Sequence, residues 1–255
     1  SEHDSKLGRR VNIPIVRTCN KKCYYALMTD LIRSLVGESA YKILESCNTP
    51  EKVQTYIDDH ITYDPYREDR SVKQVIDESR GECYNGALFG VGCLKAAGYK
   101  TSIIELFARG GDEEHILGVY KQGNYYGCIA QSKFLGLKSR QPIYSTIRDL
   151  AVSYMEYYFS YDGRYTLQSY TSLFPLGKYK NKWLTDSATV VQMGKDLRSA
   201  VHHPLAQMDD PYYYVASDRY WKEMLYIPPY FTIPKEYLDA KPGYVDLAEL
   251  SKLKG

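Results

Sequence analysis

Gly81-Glu82-Cys83-Tyr84-Asn85-Gly86-Ala87-Leu88-Phe89 joins a turn to a run of small and apolar residues. It predicts a helix with Cys83 at its first position. The first N–H groups of a helix lack intrahelical partners, and the positive end of the helix dipole lies there. Both favour thiolate over thiol, and thiolate is the reactive form. His115 follows 32 residues later, at the head of an apolar stretch that reads as a strand. A cysteine at a helix start with a histidine downstream as base is the outline of a cysteine nucleophile.

The cysteine helix is expected to run to Ala97, with Gly98 as the residue that ends it. Gly86, Gly90 and Gly92 weaken a helix intrinsically, so close approach by neighbouring backbone is their expected use. Upstream, residues 24–46 carry Leu27, Leu31, Leu35, Ile43 and Leu44 at mostly helical spacing, interrupted near Gly37. Thr49-Pro50-Glu51 supplies an N-cap, a first-turn proline and an acidic first turn for a helix reaching about Ile61. A short helix from Val72 to Ser79 leads into the Arg80-Gly81 turn. Downstream, Thr101–Ala108 and His115–Lys121 read as strands, and Gln122-Gly123-Asn124 turns into a third, Tyr125–Ala130. Arg109-Gly110-Gly111-Asp112-Glu113-Glu114, between the first two, reads as a mobile acidic loop. The order gives an α+β core at residues 49–140. An N-terminal helical segment, residues 1–48, precedes it. Residues 141–255 form a Tyr-rich extension packed on the core, helical around Ile147–Met155.

This layout resembles the transglutaminase-like superfamily, papain-related cysteine enzymes whose nucleophile starts a helix packed on a sheet bearing the histidine. The matching segments are Ile61-Thr62-Tyr63, Gly81-Glu82-Cys83-Tyr84-Asn85-Gly86-Ala87, the helix ending at Ala97-Gly98-Tyr99, and Glu114-His115-Ile116-Leu117-Gly118-Val119-Tyr120. They cover about 80 of 255 residues. The resemblance implies Cys83 as nucleophile and His115 as general base and then general acid. It also implies an aspartate on the strand after the histidine, and here the chain departs from the pattern. Gln131 stands where that aspartate is expected, followed by Ser132. A neutral amide can orient a histidine, so Gln131, or Ser132 in its place, is the expected third residue. Backbone N–H of Cys83 is expected to form the oxyanion site, with Tyr63 and Tyr84 as substrate- or oxyanion-contacting side chains.

Composition bounds the function. With 33 basic and 31 acidic residues interspersed, a formal charge of +2 gives no electrostatic case for nucleic acid or an anionic membrane. No window approaches the eighteen or so apolar residues of a membrane-spanning helix. Six cysteines are too sparse in 255 residues for a disulfide scaffold, so a reducing, cytoplasmic setting is expected. Cys19-x-x-x-Cys23 has no second pair to complete a zinc site, and adjacent His202 and His203 point apart, so neither metal nor cofactor is expected. The 27 tyrosines, clustered at 154–161, 212–214 and 226–230, suit half-buried packing or an aromatic groove. The expected function is attack on an amide or thioester carbonyl through an acyl-enzyme, as a peptidase, amidase or acyltransferase. The substrate would be a peptide, a protein or a small amide or thioester. The competing expectation is an inactive transglutaminase-like module used for protein binding.

Overall fold

Helix α5 (Cys83–Ala96) is the axis of the molecule, and its composition explains why. Every side chain from Cys83 to Leu94 is buried, so it has no polar face to turn to water. A helix that is apolar all round must be enclosed on all sides. In the computed structural model, residues 21–64, 66, 69–109, 112–159, 163–205, 216–217 and 219–220 are described, with side chains from residue 28 onward. Four helices surround α5 on one side: α1 (Lys21–Val36), α2 (Glu38–Ser46), α3 (Pro50–His60) and α4 (Val72–Glu78). Each starts or stops where local chemistry dictates. Thr49 caps α3 by accepting from Lys52 N, with Pro50 in the first turn. Ser71 and Gln74 form a capping box at the start of α4.

An antiparallel sheet closes the other side. Its strands are β3 (Lys100–Ala108), β4 (His115–Gln122), β5 (Tyr125–Ile129), β6 (Arg140–Tyr144), β7 (Leu167–Thr171) and β8 (His202–Pro204), in the order β6-β5-β4-β3-β7-β8. A two-stranded parallel pair, β1 (Thr62–Tyr63) with β2 (Arg80–Gly81), stands just before α5. Successive side chains on a strand point to opposite faces, and both faces of β3 and β4 are covered. Ile103 and Ile116 face the α5 layer, whereas Ile104 and Leu117 face a second core with helix α6 (Ile147–Val152), Tyr154 and Tyr158. Two helix glycines are explained by proximity. A Cβ on Gly86 would lie 2.4 Å from Cβ of Gln131, and one on Gly90 would lie 2.6 Å from Ile129 Cγ2. Glycine there lets α5 lie directly on β5.

The α+β architecture is the one expected, but the boundary at residue 140 is not. It falls at the first residue of β6, and β7 and β8 continue the same sheet beyond β3. Helix α7 (Ser187–Arg198) inserts Val190, Met193 and Leu197 into the core that holds α5. Residues 141–205 therefore complete the layers. No tight turn joins β6, β7 or β8 to a strand next in sequence, as Gly123 joins β4 to β5, so nothing local marks them. Cys19, the Cys23 side chain and the tyrosines at 212–214 and 226–230 lie outside the described residues. Among the described residues no helix is long and apolar enough to cross a membrane.

Candidate active site

Cys83 is the first residue of α5, and the turn that delivers it is braced from three directions. Backbone bonds from Thr62 N to Ser79 O and from Asp64 N to Gly81 O, each 2.9 Å, tie β1 to β2. Below them Arg70 is buried in an ion pair with Asp64 at 2.7 Å and also binds Glu78 at 2.8 Å. Arg70 O in turn accepts from Asn85 Nδ2 at 3.4 Å. Asn85 reaches back to accept from Glu82 N at 3.2 Å, half of a capping box at the start of α5. The cysteine is thus held where the sequence placed it.

Its immediate partner is not a histidine. Cys83 Sγ donates to the Glu82 carboxylate at 3.0 Å. A carboxylate at that distance favours S–H over thiolate, opposing the helix terminus. The helix terminus and the acidic residue that precedes the thiol in sequence thus act on it in opposite directions.

His115 begins β4, opposite Leu106 of β3, and is buried. Its Nε2 lies 2.7 Å from the carbonyl oxygen of Leu137. A carbonyl can only accept, so Nε2 carries the proton and Nδ1 of the neutral ring holds a lone pair. Burial lowers the His115 pKa to about 4, against a smaller upward pull from the Leu137 carbonyl, and the Arg140 charge lowers it further. The ring is therefore a neutral base at physiological pH. Tyr154 packs edge-on against it, centroid to centroid 6.1 Å.

The role expected of Gln131 falls to Leu137. Gln131 Nε2 donates to Ile61 O at 3.0 Å, and its side chain packs on Gly86, away from the imidazole. The Ser132 hydroxyl accepts from Phe134 N at 3.0 Å and so shapes the following turn instead of holding the histidine. That turn presents Leu137 O, and Arg140 fixes it. The Arg140 guanidinium donates to Gly136 O, Lys138 O and Ser139 O at 2.7 to 3.1 Å, bracketing Leu137 on both sides. It also lies over the Tyr154 ring at 4.0 Å. A main-chain acceptor has no side-chain signature, so no sequence motif could have announced it.

Cys83 and His115 line one cavity of about 60 Å³, room for a small acyl group. Tyr63, Phe134, Tyr157 and Tyr158 also line it, which puts part of the tyrosine cluster at the thiol. Tyr84 is elsewhere. Its buried hydroxyl donates to Val190 O at 3.0 Å, so it is not free for an oxyanion. Asp112–Glu114 is held down, not loose: Thr166 donates to Asp112, and the Tyr158 hydroxyl donates to Glu113 O. Ser169 and Ser172 bond His202 and His203 separately, and among the described residues no cluster of three or more His, Cys, Asp or Glu is placed to hold a metal. No protein-family model matches the chain, and a search of the curated proteins finds no match either.

Proposed function

We propose that this chain is a cysteine-nucleophile enzyme of transglutaminase-like type, acting on amide or thioester carbonyls through an acyl-enzyme. One observation carries the reading: the thiol at the start of α5 and a neutral, oriented His115 line the same small cavity. Because the base is neutral and the carboxylate beside the thiol favours S–H, the pair works without a standing thiolate–imidazolium. Sγ attacks the carbonyl carbon as its proton passes to Nδ1 of His115. An S–C bond forms and the carbonyl π electrons move to oxygen, which the N–H groups at the start of α5 face. When the tetrahedral intermediate collapses, the amine or thiol leaves with the proton from His115. Water or an amine then adds to the thioester, giving its proton to His115, and Cys83 leaves with that proton. Leu137 O stabilises the transient imidazolium, less strongly than a carboxylate would. The reading includes a reducing, cytoplasmic setting, in which the thiol stays free.

Iodoacetamide labelling followed by intact mass, and acyl transfer from activated thioesters, test the reading. Cys83→Ala should lose the acyl-enzyme, and His115→Ala should slow labelling by about 10²–10⁴-fold. Undiminished turnover by Cys83→Ala would sink the proposal. The Glu82–thiol hydrogen bond favours one competitor, an inactive module kept for protein binding. Selective labelling of Cys83 over the other buried thiols would end that competitor.

A further inference from the structure

A second cavity, of about 230 Å³, opens on the other side of Cys83 and shares Glu82, Cys83 and Glu114 with the first. Both cavities carry charged side chains, Asp112, Glu113 and Lys133 beside the aromatic rings of the first, and what sets the second apart is the buried Glu105 in its wall. Asp69, Glu82, Glu105 and Glu114 line the second cavity against a single guanidinium, Arg198. Arg198 forms no ion pair within 4.0 Å of these carboxylates among the described residues. Glu105 is the decisive member. It projects from the middle of β3, is 4% exposed, and its Oε2 is fully buried with no hydrogen-bond partner. The nearest base, His202 Nε2, is 4.0 Å away, beyond hydrogen-bond reach. A buried carboxylate oxygen without a donor is strongly unfavourable unless a ligand supplies one. Burial and the Glu114 charge raise the Glu105 carboxyl to about 7, against a smaller downward pull from Arg198, and a second, closer cation would lower it further.

We propose that this chamber is a subsite for one organic cation, the guanidinium or ammonium of an arginine or lysine side chain in a peptide substrate, next to the carbonyl that Cys83 attacks. The proposal rests on the nucleophile reading above and names the substrate class for it. A metal ion is the wrong occupant, because no three of the described acidic groups converge closely enough to ligate one. The walls suit a basic side chain instead. Ile116 and Leu197 are apolar surface for its methylene stem, and the carboxylates lie where its charged end would reach. Glu105 and Glu114 come from β3 and the segment before β4, so one cation would bridge both.

The test uses the full chain carrying Cys83→Ala, so that binding is read without chemistry. Nα-acetylarginine amide, Nα-acetyllysine amide and the neutral Nα-acetylnorleucine amide are titrated by calorimetry. The basic amides should bind at least about tenfold tighter than the norleucine amide, with the advantage shrinking as salt is added. Adding Glu105→Gln should remove most of that advantage while leaving norleucine binding unchanged. The substitution keeps the shape and removes a buried charge, so the melting temperature should hold or rise; Glu114→Gln, at a half-buried site, is the second variant. Equal affinity for arginine and norleucine amides, or arginine binding that survives both Gln variants, would overturn the proposal. Iodoacetamide labelling of the unsubstituted chain separates the two claims. Labelling without arginine selectivity removes the subsite and leaves the nucleophile. Arginine selectivity without labelling removes the nucleophile and leaves a cation-binding chamber.

Discussion

Replacing His115 by Gln removes a buried ionisable group while leaving an N–H that can still reach Leu137 O, so the variant isolates the consequence of burying an imidazole. The folded-state pKa is about 4, against 6.5 for a free histidine. The sign follows directly. Between those values the unfolded chain takes up a proton and the folded one does not, so acid pulls the equilibrium toward unfolding. His115 thus adds stability above about pH 6.5 that is lost as the pH falls through the folded value near 4. The gap, at about 1.36 kcal/mol for each pH unit, corresponds to about 3 kcal/mol. The ring is 4% exposed, so solvent screening takes little from that figure. Other groups act in the same window with the opposite sign. Glu105 is raised to about 7, and Asp69 and Asp112 are raised by burial, so their contribution is present at low pH and lost on the way up. The comparison must therefore be between wild type and variant, not between two pH values of one protein. Urea unfolding at a series of pH values from 7 to 4 should show the wild type losing about 3 kcal/mol more than His115→Gln. Parallel curves would refute the argument, because they would mean that the imidazole is protonated as readily folded as unfolded.

Three further outcomes follow from contacts already described. Arg140→Lys keeps the charge but loses the planar fork that binds four carbonyls, those of Gly136, Lys138, Ser139 and Ser153, so Leu137 O should shift from His115. Labelling of Cys83 should slow about 10-fold or more in a folded protein, and an unchanged rate would show that the clamp does not position the histidine. Gly86→Ala places a methyl 2.4 Å from Gln131 Cβ and 2.6 Å from its Oε1. A loss of about 1–3 kcal/mol in urea unfolding is expected, and a neutral result would show that β5 can move off α5. Asp64→Ala takes one of two carboxylates from Arg70, which is 2% exposed and keeps Glu78. It should cost about 1–3 kcal/mol, read as a lower thermal midpoint, and an unchanged midpoint would mean that the pair carries little stability.

Much of the architecture was legible because it rests on local chemistry. Thr49-Pro50 and Ser71 announce helix starts, and Gly98, at φ 87°, ends α5 as only glycine readily does. The hairpin at Gly123 was legible for the same reason. The strands after residue 140 were not, since no tight turn joins them to a strand next in sequence as Gly123 joins β4 to β5, and what stabilises them is pairing with β5, β3 and β7. At the site, Cys83 and His115 were identifiable as residue types in a pattern, but the group that holds His115 was not. The pattern points to a side chain on the return strand, whereas the acceptor is a carbonyl six residues beyond Gln131.

What the amino-acid sequence determined by itself was therefore the part set by neighbours along the chain: a helix beginning at Cys83, with a histidine strand, a hairpin and glycines that permit close packing. Most of the electrostatics came from segments distant along the chain. Folding withdrew His115 from water so that it stays neutral, bracketed Leu137 O with Arg140, and brought Glu105 and Glu114 to a cavity at the sulfur. The reason is physical. Helix and turn preferences act over a few residues, whereas burial and charge act through space, and their sum at one atom depends on every element folded around it.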